Sequence, residues 1–142
     1  MTSSYDTLIK LIKERNLPYP LQAYAFTLEV FEWLLTICNR KIDGAAVSRA
    51  AIIYSIRKFG LLSETVWKEY KIEKSEDIGK IIFCLVDSGL LTKNDDDKVG
   101  DFDNIVSIDS LKVLKYNIEN DNTLRYNVVL KNEFGQEEDF VI

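Results

Sequence analysis

The stretch from Tyr19 to Cys38 constrains this chain more than any other. After Tyr19 it reads PLQAYAFTLEVFEWLLTIC, with no basic residue in it. At 3.6 residues per turn, Leu21, Tyr24, Leu28, Phe31 and Leu35 form one apolar stripe, and Phe26, Val30, Trp33 and Ile37 form a second. Gln22, Glu29, Glu32 and Thr36 leave only a narrow polar strip. A helix apolar over most of its circumference must be covered from several sides. The spacing therefore predicts a central helix with the remaining segments packed round it.

Those segments can be read in turn. Leu8, Leu11 and Ile12 give an apolar face to a first helix, Tyr5 to Arg15, capped by Ser4 or Asp6. Residues 16–20 are a turn, with Pro20 at the first position of the central helix. Asp43 is an N-cap for a third helix, Gly44 to Phe59, with Val47, Ala50, Ala51, Ile53 and Tyr54 inward and Gly60 as its stop. A short fourth helix starts at Ser63 and carries Val66, Trp67 and Tyr70. Ser75 caps a fifth, with Glu76 and Asp77 in its first turn and Ile78, Ile81, Ile82, Leu85 and Val86 inward. Gly89 and Leu90 suit a Schellman ending. Phe83 points away from the central helix and needs another cover.

Residues 94–103 form a polar, acidic loop, after which the apolar period changes from 3.6 to 2. Leu114, Tyr116 and Ile118 alternate with polar neighbours; so do Leu124, Tyr126, Val128 and Leu130, and Phe140 and Ile142. Turn residues at 120–122 and 132–136 separate the runs. The pattern predicts a three-stranded antiparallel meander over residues 111–142, whose apolar face must dock on the helices because a small lone sheet is marginal in water. The fold class is thus mainly α (α+β). A five-helix domain over residues 1–108 surrounds one buried helix, and a C-terminal β meander over 109–142 is docked on it. The succession of helices three, four and five, ending in Gly-Leu-Leu before a wing, also fits a winged helix.

Bulk properties narrow the function classes. At 142 residues the chain makes one domain or one domain with an appendage, and 46% hydrophobic with 29% charged residues excludes disorder. Cys38 and Cys84 both sit in apolar helical patterns, which suits free thiols in a reducing compartment. No histidine and no CxxC pair are present, so neither a zinc site nor a His-based catalytic triad is expected. The N-terminus lacks an apolar run fit for a signal peptide or membrane span, so a cytoplasmic protein without membrane contact is expected. Net charge is −5 and uneven: residues 1–70 carry nine basic and seven acidic side chains, residues 71–142 nine and sixteen.

Glu29 and Glu32, one turn apart, are the one carboxylate pair placed for metal or acid–base work, yet they read better as a solvated strip. Asp95, Asp96 and Asp97 with Gly100, Asp101 and Asp103 invite a calcium loop. With Asp95 first, however, the fifth position is Val99 and the twelfth Val106, which breaks the EF-hand pattern. The glycines form no phosphate-cradling loop. No cofactor is expected.

Several short motifs occur together: Tyr19-Pro20-Leu21-Gln22-Ala23-Tyr24-Ala25-Phe26, Phe59-Gly60, Thr65-Val66, Glu76-Asp77-Ile78-Gly79, Phe83, Leu85-Val86, Gly89-Leu90-Leu91, Lys93 and Asp101-Phe102. Over about residues 5–108 this set resembles the Minf-type family of uncharacterised conserved bacterial proteins. The resemblance implies a compact helical domain of bacterial origin and no assigned activity.

The reading that follows is a non-enzymatic protein-binding or adaptor module. Its partner, another protein or a second copy, would meet the acidic loop (Asp95, Asp96, Asp97, Asp101), the aromatic residues Trp67 and Tyr70, or an edge of the C-terminal sheet. The alternative is a winged-helix regulator touching nucleic acid through Arg40, Lys41, Arg49, Arg57 and Lys58 around helix three. The solvent side of helix five argues against it, since Glu76, Asp77, Lys80 and Asp87 make it acidic where phosphates must approach.

Overall fold

In the computed structural model, residues 4–38, 42–92, 98–112, 114–131 and 134–142 are described. Helices run over Ser4–Glu14 (α1), Leu21–Ile37 (α2), Gly44–Phe59 (α3), Ser63–Glu69 (α4), Ser75–Asp87 (α5) and Asp109–Lys112 (α6). Strands Lys115–Ile118 (β1), Leu124–Lys131 (β2) and Glu137–Val141 (β3) close the chain as an antiparallel sheet in the order β1-β2-β3. The protein is mainly helical with a C-terminal three-stranded meander, as the periodicities predict. None of the described helices is long and apolar enough to cross a membrane.

Burial centres on α2, α3 and α5. On α2, Ala23, Tyr24, Phe26, Thr27, Val30 and Leu34 are buried. Leu28, Phe31 and Trp33 are half-buried against the same core. Leu21, Leu35 and Ile37 are exposed, so the two stripes drawn from the sequence are wet towards their ends. Pro20 is the N-cap residue, one position earlier than expected. Helix α3 is buried on more sides than its sequence suggests. Ser48 and Ser55 lie fully inside, and each turns its hydroxyl back to a carbonyl four residues earlier, Gly44 and Ala51, at 2.7 and 2.6 Å. That internal bond lets a small polar residue pass as core. Asp43 caps α3 by accepting the Ala46 N–H at 2.8 Å.

Ser75 does not cap α5. It is the first helical residue, and Asp77 accepts the N–H groups of Glu73 and Lys74 at 2.9 and 3.2 Å instead. The Ser75 hydroxyl accepts the N–H groups of Ile105 and Val106 at 3.0 and 3.2 Å. Backbone bonds Ser75 N to Val106 O (2.9 Å) and Ile108 N to Glu73 O (2.7 Å) complete a short bridge. This clamp draws the chain after the acidic loop across the start of α5. Leu90 N bonds Leu85 O at 3.0 Å across Gly89, which has a φ of 85°, giving the expected Schellman ending.

A 3-10 turn, Val99–Phe102, occupies part of the segment read as polar loop. Its Phe102 is buried and meets Phe83 edge-on at a ring separation of 6.4 Å, which supplies the cover Phe83 requires. Two glycines make room for the turn. A Cβ on Gly44 would lie 2.8 Å from the Asp101 carbonyl oxygen, and one on Gly79 would lie 2.8 Å from the Phe102 ring. The packing of α3, α5 and the turn thus depends on both positions lacking a side chain.

Candidate interaction surface

Trp67 is not a surface residue. It is 0% exposed and donates its indole N–H to the Ser55 hydroxyl at 2.7 Å. Its place in recognition is therefore corrected: the ring is the core plug under α4, held by a buried hydroxyl. Periodicity does not reveal this, because a seven-residue helix is too short to show which side its one tryptophan takes. Tyr70 is half-buried, with its ring 5.6 Å from that of Phe26, and is also mainly a packing residue. Asp101 is exposed, but its carboxylate accepts the Lys98 N–H at 3.0 Å and closes the 3-10 turn. Asp95, Asp96 and Asp97 lie outside the described residues, as do Arg40 and Lys41.

The remaining basic candidates are divided in their allegiance. Lys58 pairs with Glu29, and the Tyr54 hydroxyl donates to the same carboxylate oxygen at 2.6 Å. Together these two donors, Lys58 first, hold the Glu29 carboxyl below its ordinary range, while the bond to Glu29 pushes the Tyr54 phenol up to about 12. Glu29 and Glu32 do not act together. The former belongs to this bridge between α2 and α3, and the latter faces water. Arg57 lies over the Trp33 ring, 5.5 Å from its centroid. Arg49 lines an open groove of about 560 Å³ with Trp33, Ile37, Ile53, Ile105 and Lys131.

The buried groups Tyr19 and Cys84 are explained by packing. Tyr19 donates to Asp77, and burial first, then this bond, raises its phenol far above the ordinary value. Burial likewise raises the Cys84 thiol, which leaves it a poor nucleophile. Among the described residues, no group of three or more His, Cys, Asp or Glu is gathered to hold a metal.

The surface that stands out is on the sheet. Pairs Tyr116↔Tyr126, Ile118↔Leu124 and Val128↔Phe140 put these six side chains on one face, with Leu130 two residues along. At one end that face is docked: Val128 and Leu130 are 2% and 3% exposed. Tyr126 sits over Gly60, where a Cβ would fall 2.5 Å from the phenol oxygen. At the other end the same face is open, with Tyr116 at 57%, Ile118 at 66% and Leu124 at 42% exposure. Leu61 and Leu62, beside the glycine under Tyr126, are exposed too. The expectation that the whole apolar face docks is therefore corrected. The β1–β2 hairpin projects beyond the helices, and no residue pattern in the strands marks where the support stops.

The free edges differ. Tyr126 and Ile142 exchange two backbone bonds of 2.8 Å, so Val128 and Leu130 also turn their polar groups towards β3. Glu119 N bonds Thr123 O at 2.8 Å, so by alternation Asn117 and Lys115 face β2. The N–H and C=O of Tyr116 and Ile118 consequently point off the open edge. All four residues of β1 are exposed.

No family model matches this chain, and neither a curated protein nor a solved structure matches it. The resemblance drawn from the sequence rests on its motif residues alone.

Proposed function

We propose that this protein is a non-enzymatic binding module that holds a protein partner on the projecting end of its C-terminal sheet. One observation carries this reading: an apolar strip of Tyr116, Ile118 and Leu124 lies open beside a strand edge that pairs with none of the described residues. Contiguous exposed apolar groups beside free backbone donors and acceptors suit strand addition, in which the ladder supplies affinity and the side chains supply selection. Neither Trp67 nor Tyr70 is needed for this. The acidic residues of the 98–103 segment are left to tune approach by charge. Capture from a native lysate tests the reading, comparing the parent chain with an Ile118→Lys, Leu124→Lys variant. Proteins retained by the first and lost from the second support it; an unchanged set overturns it.

A regulator that contacts nucleic acid through the α3 region finds less support. Lys58 is tied to Glu29, and α5, which would have to enter a groove, is covered by α1, α2 and the 99–102 turn. Salt-sensitive retention on DNA, weakened by Arg49→Ala, would favour it.

A further inference from the structure

We infer that the partner of the β1 edge is a second copy of this chain, paired antiparallel about a two-fold axis through Asn117. This deepens the proposed binding function and rests on that reading of the sheet. The five residues Lys115-Tyr116-Asn117-Ile118-Glu119 are complementary to themselves when reversed. In this register Tyr116 faces Ile118 of the other copy, and these are the residues whose N–H and C=O point off the edge, so each pair exchanges both backbone bonds. Lys115 faces Glu119 of the other copy at both ends, so the charges match. Asn117 faces its own counterpart at the centre. A shift by one residue would set outward-facing backbone against inward-facing backbone and would also part the charges.

The opposite edge does not offer this. In β3 the outward residues are Glu137, Asp139 and Val141, and pairing about Asp139 would bring that carboxylate against its own copy. A closed isologous dimer through β1 leaves β3 outermost, where its acidic residues discourage further addition. The two-fold stands perpendicular to the sheet, so both helical bodies lie on one side of a six-stranded sheet. The open residues Tyr116, Ile118 and Leu124 of both copies then face the space between the bodies. A short edge pairing with this apolar strip makes a small interface, of the kind that associates weakly and depends on concentration.

The test uses the full chain, purified, in sedimentation equilibrium up to the upper micromolar range. The parent is expected to dimerise. Lys115→Glu and Glu119→Lys each place like charges at both ends and should weaken association by about tenfold. The double variant restores the pairing and should return to the parent's value. In a Cys38→Ser background, Asn117→Cys should form an intermolecular disulfide, because a non-hydrogen-bonded pair brings the two Cα atoms within disulfide reach. Asp139→Cys should not. A parent that stays monomeric overturns the inference, as does a dimer indifferent to the charge reversals or cross-linked through Asp139→Cys. None of these results touches the wider binding reading, because Lys115→Glu keeps Ile118 and Leu124 intact and can be carried through the lysate capture.

Discussion

The helical body and the C-terminal sheet solve the same problem to different degrees. In the body, the rings at the centre are covered and only outlying apolar residues such as Leu35 and Ile37 are wet: Trp67 is sealed with its N–H bonded, Phe83 is met by Phe102, and Gly44 and Gly79 are bare so that the 99–102 turn can close. The sheet covers Val128 and Leu130 and leaves Ile118, on the same face, two-thirds exposed. A chain able to bury a whole tryptophan without loss could have shortened its hairpin. The contrast between a finished interior and an unfinished face marks the hairpin end as surface for something else.

Four substitutions probe that contrast. The largest effect is expected for Trp67→Ala, which empties the body's plug and takes the indole N–H from the Ser55 hydroxyl, leaving that hydroxyl only its bond to Ala51. It should cost about 3–5 kcal/mol in chemical denaturation, with loss of binding only through unfolding. Val128→Ala tests the docked end of the sheet and should cost about 2 kcal/mol. A cost near zero would show the sheet to be loosely held. Glu29→Gln weakens the α2–α3 bridge at the body's skin, where both partners are over a third exposed, so the loss at neutral pH should stay below about 1 kcal/mol. The Glu29 carboxyl is held below its ordinary value, so this contribution is present above the ordinary carboxylate pKa. It fades as pH falls through the lowered folded value, and the two proteins should converge in acid. The smallest effect belongs to Ile118→Thr, expected within about 0.5 kcal/mol of the parent in stability because the side chain packs on little. A large loss there would mean the hairpin end is supported after all and would remove the contrast.

The sequence made the helices legible where periodicity was long. Ser4–Glu14, Leu21–Ile37 and Gly44–Phe59 fall within a residue or two of the spans read from apolar spacing, and the Gly60 and Gly89 stops are where left-handed backbone is needed. The period-2 runs likewise foretold the strands. What escaped was three-dimensional accounting. Ser75 looks like a cap because a hydroxyl before two acids usually is one; its real partners lie 30 residues away. Trp67 looks available because a short helix shows no stripe. The open end of the sheet escaped for the same cause: alternation tells which side of a strand is apolar, not how far along it the support extends.

The strands follow one another in the chain as they do in space, so every rung of the tail's ladder is local, whereas its grip on the body rests on the middle strand through Val128 and Leu130. A hairpin of this size scarcely persists unaided. Folding of the tail and its seating must then be nearly one event. Amide hydrogens bonded into the ladder, those of Lys115 and Asn117 in β1 and of Glu138 and Phe140 in β3, should exchange on the same clock as those of β2, although β1 lies away from the anchor residues.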